Sequence, residues 1–566
     1  MSLFMVWAFF LMIFFFFFFF FGLYLLLFNK IYLYEYELFS SVGSGGFLLV
    51  LDWLGVVFFS FVLLISSSVF VYSNCYMSED SSKLRFIFLV LLFIFSMGLL
   101  VLSPNLMSLL LGWDGLGLIS YGLVIYYQNT RSFNAGMITV LSNRVGDVGI
   151  LLGIVGLVNL GGWTFIFLDH FFENTILFNS LFCCIILAAM TKSAQLPFSS
   201  WLPAAMAAPT PVSSLVHSST LVTAGVFLLI RFHDIFININ FMNWLMYISL
   251  LTLVMSGVGA CLEMDFKKVI ALSTLSQLAL MMFSLSIGMW EVAYFHMLTH
   301  AIFKALLFLC AGSLIHSVGG IQDIRVLGGV INFSPMLGYG MLVSFLSLGG
   351  IPFSCGFYLK DMVIEMYLMG DKIFFFFLFF FLGIFSTLIY IYRLIYNLLL
   401  KAYGGGMIFN YSENIFMNIS VFMLGVFGIF FGSAMSWLLF DYSNLILLSS
   451  FMKLMTLAGV IFLLWFLLNN FFVQNLVMFL KMNIIFMFFS TMWFLSNLSS
   501  MVFSWLYCYL GFLMVAGEVG WGEMLGGKGF SKLSIYLGGL SQKMQYNFLS
   551  FQVVLFFLIF LYFLIL

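Results

Sequence analysis

Residues 291–316, EVAYFHMLTHAIFKALLFLCAGSLIH, set three ionisable side chains, His296, His300 and Lys304, inside an apolar run long enough to cross a membrane. At 1.5 Å of rise per helical residue, about 20 residues traverse a hydrocarbon core of ~30 Å. The three groups recur every four residues, so they stack on one helix face over about 12 Å. A charge at mid-bilayer costs about 2.5–3.5 kcal/mol even on the lenient insertion scale, so such a stripe faces protein or a water path. Imidazole both accepts and donates a proton near neutral pH, which suits hopping through bridging waters. Like charges at i, i+4 oppose one another, so the three groups titrate as a coupled set. Histidines bonded to neighbouring backbone carbonyls are the structural alternative.

The rest of the chain has the same character. Its 566 residues are 64% hydrophobic and only 7% charged, which excludes soluble domains with a water-facing surface. Apolar runs recur at about 3–28, 47–73, 84–103, 105–127, 134–160, 176–196, 211–232, 243–262, 267–288, 291–316, 335–352, 373–400, 415–440, 451–470 and 483–510. The fold class is therefore an all-α polytopic membrane protein of about fifteen transmembrane helices. Short loops leave no room for an inserted soluble domain. The run at 3–28 has no basic flank and no small-residue cleavage site, so it stays as a helix.

With 20 Lys and Arg against 21 Asp and Glu, the chain offers no basic face for nucleic acid. Its seven cysteines are scattered and never spaced as Cys-x-x-Cys, so no iron–sulfur or zinc site is expected. His296 and His300 share one helix face and cannot alone hold a haem between them. No Gly-x-Gly-x-x-Gly follows a strand pattern, so no nucleotide or flavin is expected. Any redox chemistry belongs to partners. The 77 phenylalanines, with 36 Met and 7 Pro, read as the codon bias of an AT-rich organelle genome. The unbroken tract Phe14 to Phe21 reads as lipid-facing filler.

Nine ionisable residues fall within or beside these spans: Asp114, Asp147, Lys192, His217, His296, His300, Lys304, Lys360 and Asp361. Any one of them alone fits a satisfied interhelical pair, whereas acids, lysines and imidazoles in succession favour a relay. Lys192 precedes Pro197, and Lys360 follows Gly349, Gly350 and Pro352. Proline removes an i to i−4 hydrogen bond, so each of these spans is expected to unwind locally. Half-helix ends freed at membrane depth can hold ions and water.

The stretches Leu111-Gly-Trp-Asp-Gly-Leu-Gly117, Asn143-Arg-Val-Gly-Asp147, Thr191-Lys-Ser-Ala-Gln195 and Ala208-Pro-Thr-Pro-Val-Ser-Ser-Leu-Val-His217 follow one another in a familiar order. They are succeeded by Asp265-Phe-Lys-Lys268, Ala271-Leu-Ser-Thr-Leu-Ser-Gln277, His296-Met-Leu-Thr-His-Ala-Ile-Phe-Lys304 and Gly356-Phe-Tyr-Leu-Lys-Asp361. Together they resemble the subunit 5 family of mitochondrial NADH dehydrogenase (respiratory complex I), an antiporter-like membrane subunit, strongly over about 47–400 and weakly elsewhere. The resemblance implies two inverted five-helix antiporter-like repeats with Pro-broken helices, a C-terminal lateral helix and a final span. It divides the chain into N-terminal helices at 1–83, repeats at 84–240 and 241–402, further spans at 403–498, a lateral amphipathic segment at 499–546 and a last span at 547–566. Glycines between 511 and 529 are expected to break the lateral segment.

By the same resemblance, Asp114 pairs with Lys192 and Asp147 is a neighbouring acid. His217, Lys267, His296, His300 and Lys304 form a central polar axis, and Lys360 with Asp361 a terminal site. The family usually has Glu where this chain has Asp114. The implied function is proton translocation coupled to electron transfer in other subunits. NADH, FMN, iron–sulfur clusters and ubiquinone would be held by those partners, with none in this chain. The implied partners are the other complex I subunits, above all antiporter-like sisters along the membrane arm, together with lipid and protons. The implied location is the mitochondrial inner membrane. The rival reading is the large subunit of a multi-subunit cation/proton antiporter, and the long lateral tail argues against it.

Overall fold

The computed structural model describes residues 2–39, 45–159, 176–233, 241–352, 354–369, 374–401, 413–440, 448–450, 453–454, 458–459, 461, 484–546 and 548–565. Most of these residues are helical, and one antiparallel strand pair stands near the start of the chain. Strands β1 (Tyr32–Phe39) and β2 (Gly45–Leu51) pair antiparallel, with Tyr32 opposite Leu51. This corrects the expected span at 47–73: its first residues complete a strand, and helix α2 begins only at Trp53. Asp52 ends the strand and caps the helix, its side chain accepting from the Gly55 N–H at 3.2 Å.

The helices follow in chain order as α1 (Leu3–Phe28), α2 (Trp53–Tyr76), α3 (Lys83–Leu102), α4 (Leu106–Val124), α5 (Thr130–Asn159) and α6 (Ile176–Lys192). After a break come α7 (Thr210–Arg231), α8 (Phe241–Leu262), α9 (Phe266–Ile287), α10 (Trp290–Ser317) and α11 (Pro335–Gly349). A second break leads to α12 (Cys355–Met369), α13 (Phe374–Leu394) and α14 (Ile415–Leu439). Among the described residues, eleven helices are long and apolar enough to cross a membrane, or twelve if a bent C-terminal pair counts as one. The expected fifteen falls short for local reasons. Helices α6 and α11 stop at the two predicted breaks, the run at 451–470 lies almost wholly outside the described residues, and the run at 483–510 is interrupted after Ser490.

Helices α7 and α10 are buried along nearly their whole length, α10 emerging at its two ends, and α9 almost as fully, while α1 is mostly exposed. In the Phe tract, Phe15 is buried against Phe61 and Phe427, whereas Phe14, Phe16, Phe17 and Phe20 point outward. Lipid tails are as apolar as Leu, so close packing at small residues has to bring such helices together. At Gly225 of α7, a Cβ would stand 2.5 Å from the Ala189 carbonyl of α6, so only glycine admits this approach.

The chain forms two compact units, Met1–Trp493 and Phe494–Leu566. Within the second, α15 (Leu495–Val515) passes through Gly511 unbroken, against expectation. The glycine-rich part widens instead into π-helical turns at Ala516–Gly522, and the chain breaks at Gly526 before α16 (Gly527–Tyr546). Helix α17 (Phe548–Ile565) follows with a bend of 55°.

Candidate functional site

Lys192 is the last residue of α6 and is fully buried. The chain beyond it unwinds through Ser193 to Ser200, and Trp201 Nε1 donates to the freed Thr191 carbonyl at 3.0 Å. Lys192 Nζ lies 5.0 Å from the centre of the Trp113 ring and donates to the Trp113 carbonyl at 3.2 Å. Its expected partner, Asp114, is instead held by Arg144 at 3.8 Å, and the same guanidinium holds Asp147 at 3.2 Å. Each carboxylate keeps one buried oxygen, Oδ1, free of a closed hydrogen bond. Two acids, a lysine and an arginine thus share one site on α4, α5 and α6.

Gln195, in the break after Lys192, accepts from Thr252 Oγ1 of α8 at 2.6 Å. This ties the first break to the following group of helices. His217 sits in π-helical turns at Ser213–Thr220, where one residue too many per turn displaces the backbone bonds. Hydroxyls take up the displaced carbonyls, as Thr220 Oγ1 does at Leu215 O, 2.7 Å away. The His217 ring is buried beside Trp201, and neither of its nitrogens has a partner.

On α10, His296, His300 and Lys304 are all buried, with the two imidazole centres 6.3 Å apart. Helix α9 runs antiparallel to them and supplies matching polar groups. Gln277 Oε1 lies 3.2 Å from His296 Nε2, and Lys304 Nζ donates to Ser273 Oγ at 2.5 Å. Both His300 nitrogens are unpartnered. No carboxylate pairs with Lys304 among the described residues.

Lys360, on α12, reaches back across the second break. Its Nζ donates to Leu348 O of α11 at 2.7 Å and lies 3.3 Å from Thr387 Oγ1 of α13. A cavity about one water molecule in size joins it to His296, walled by Leu280, Leu359, Val363 and Phe380. Asp361 is half-buried next to it. Lys267 stands apart: it is buried in the first turn of α9, about 9 Å along the helix from Ser273.

Sequence reasoning passed over Arg144, Gln195, Ser273, Gln277 and Thr387. The signal existed for most of them, since Arg144, Gln195, Ser273 and Gln277 lie inside the motifs quoted above.

Family models cover most of the chain. Residues 103–386 match the transmembrane model of NADH:quinone oxidoreductase and Mrp antiporter subunits, 44–87 the chain 5 N-terminus of NADH-ubiquinone oxidoreductase (complex I), and 390–566 the NADH dehydrogenase subunit 5 C-terminus. NADH-ubiquinone oxidoreductase chain 5 of Locusta migratoria is 45% identical, over 94% of this chain and 93% of that one. The chain belongs to the NADH-ubiquinone oxidoreductase chain 5 family. Its chain 5 relative in Lumbricus terrestris is 42% identical over 94% of both chains, and that of Anopheles gambiae 46% over 92% of this chain and 90% of that one. Similarity thus extends past residue 400, where the motifs alone were thin. The solved Mrp complex of a Dietzia species shares the fold, with a TM-score of 0.71 and 24% identity, over 80% of this chain and 52% of that one. Membership of the chain 5 family makes this a multi-pass membrane subunit of the respiratory enzyme complex I.

Proposed function

We propose that this chain translocates protons through the line Asp147, Asp114, Lys192, His217, Lys304, His300, His296 and Lys360, with Asp361 at its far end. The observation that carries this reading is the stripe on α10: three buried ionisable groups lined by Ser273 and Gln277, with no carboxylate paired to Lys304 among the described residues. A purely structural role would satisfy such groups, and here both His300 nitrogens and both His217 nitrogens stay open. Lys267 joins this axis only through the family resemblance.

Charge moves along the line by repulsion. Two positive charges at the 6.3 Å imidazole spacing oppose each other by about 2.6 kcal/mol at an effective dielectric near 20. Moving one proton against the membrane potential takes about 2.3 kcal/mol per 100 mV, so the two quantities match in size. A proton arriving at His300 can therefore expel one from a neighbour. At the first site, both carboxylates pair with Arg144 rather than with Lys192. Release of Asp114 would let it approach Lys192, where a pair at ~4 Å is worth about 4 kcal/mol.

The NADH, FMN, iron–sulfur clusters and ubiquinone of the complex belong to partner subunits in this reading. The segment 499–546 lies along antiporter-like sister subunits, and the assembly sits in the mitochondrial inner membrane. The antiporter alternative is not favoured, because named chain 5 relatives match this chain nearly end to end. The test is His300→Ala in the assembled complex in sealed vesicles. Proton delivery should fall by roughly 10²-fold through this path while assembly is retained. Loss of assembly with normal flux in what remains would instead make the ring a packing element.

A further inference from the structure

The four-residue step of the stripe on α10 continues beyond Lys304 through Phe308 and Gly312 to His316. Gly312 has no side chain of its own, and two other helices fill its face with oxygen. A Cβ there would stand 2.5 Å from Tyr72 Oη of α2 and 2.6 Å from Thr210 Oγ1 of α7. Both hydroxyls are fully buried, they face each other, and neither closes a hydrogen bond of good geometry. Buried polar groups are nearly always satisfied, so two open hydroxyls in one small space call for an explanation.

What surrounds them supplies one. Tyr72 stacks on Tyr76 with ring centres 5.6 Å apart, and Tyr76 lies 5.4 Å from the His316 ring. Exposure rises in that order: Tyr72 and Thr210 are buried, Tyr76 is half-buried, and His316 is exposed. On the inner side, Thr210 opens the span that carries His217. Ser213 and Ser214 fill the interval, with hydroxyls at 2.9 and 2.8 Å from the Thr210 and Pro211 carbonyls. Polar groups thus run from His217 to the surface along α7, α2 and the end of α10.

We propose that Thr210, Tyr72 and Tyr76 form a hydroxyl bridge that passes protons between the buried stripe and the surface at His316. This rests on the relay reading above. Each hydroxyl takes a proton on a lone pair and releases its own to the next, so only O–H bonds exchange and no group is left charged. Glycine at 312 is what lets the two oxygens meet.

The test uses the assembled complex in sealed vesicles, with Tyr72→Phe, Thr210→Val and Thr210→Ser, reading protons delivered per NADH oxidised and the amount of complex assembled. Tyr72→Phe and Thr210→Val should each lose proton delivery at normal assembly, while Thr210→Ser, which keeps the hydroxyl, should retain it. Tyr72→Phe keeps the ring, so it decides alone if Thr210→Val does not assemble. Parental delivery in Tyr72→Phe would overturn the bridge. His300→Ala, run alongside, separates the two claims: if it blocks delivery while Tyr72→Phe does not, only the bridge is wrong, and if it too is silent the relay itself fails.

Discussion

Arg144 holds two acids at once, and through them it sets the surroundings of Lys192. Its side chain is 48% exposed, so each ion pair is worth no more than ~1 kcal/mol. Arg144→Gln removes both pairs and should therefore leave the stability of the complex within about 2 kcal/mol while altering proton delivery, because both carboxylates become free to approach Lys192. A large fall in thermal stability with unchanged delivery would make Arg144 a structural clamp. At the same site, Asp114→Asn should suppress pumping and Asp114→Glu, which keeps the carboxylate, should retain it, as vesicle proton uptake would report. The residues of this site were legible as intramembrane charges, and Arg144 met that criterion as well as Asp147 did. Which acid each base would choose was not legible, because a difference of one side-chain length decides it and sequence carries no such distance.

At the scale of elements, two arginines occupy matching places. Arg231, at the end of α7, donates to Val101 O in the last turn of α3 at 3.1 Å, and Arg393, on α13, donates to the Ala260 and Cys261 carbonyls ending α8. Each joins the last helix of a proposed repeat, 84–240 or 241–402, to the carbonyl end of its first helix, where orphan carbonyls and the helix dipole favour a cation. Arg231 also forms a two-pronged ion pair with the buried Asp52, whereas Arg393 adds the Met264 sulfur. Removing Arg231 strands a buried carboxylate, so Arg231→Met should cost about 3–5 kcal/mol, and Arg393→Met about 1–3 kcal/mol. Thermal inactivation of the complex would rank them, and equal losses would contradict the assignment. The breaks after Lys192 and before Lys360 could be read from Pro197 and from Gly349 to Pro352. The π-helical turns at 213–220 could not, since no residue type specifies them. The hairpin was hidden because residues 47–51 are as apolar as the helix that follows, and only Gly45 and Gly46 hinted at a turn.

For the whole molecule, the proposed proton path needs a source of free energy, which the proposed function places in partner subunits. Its second unit exposes large apolar side chains along all its helices, including Phe530, Ile535 and Tyr536 of α16. Surfaces of that kind require lipid or protein cover. Gentle detergent extraction should therefore recover the chain only with NADH-oxidising flavoprotein subunits, and a lone, active ion exchanger would argue for the antiporter reading. The fold class and the family were plain from composition and motif order, while the division into two units depended on contacts that no local pattern records. Lys304 of the buried stripe on α10, whose side-chain partner is Ser273, is the most direct probe of proton passage along that helix. The decisive measurement is the number of protons delivered per NADH oxidised by vesicles holding the assembled complex with Lys304→Met, a change that keeps length and removes the proton-bearing group. A stripe that carries protons gives a lower ratio at normal assembly; an unchanged ratio in fully assembled complex would show that it does not.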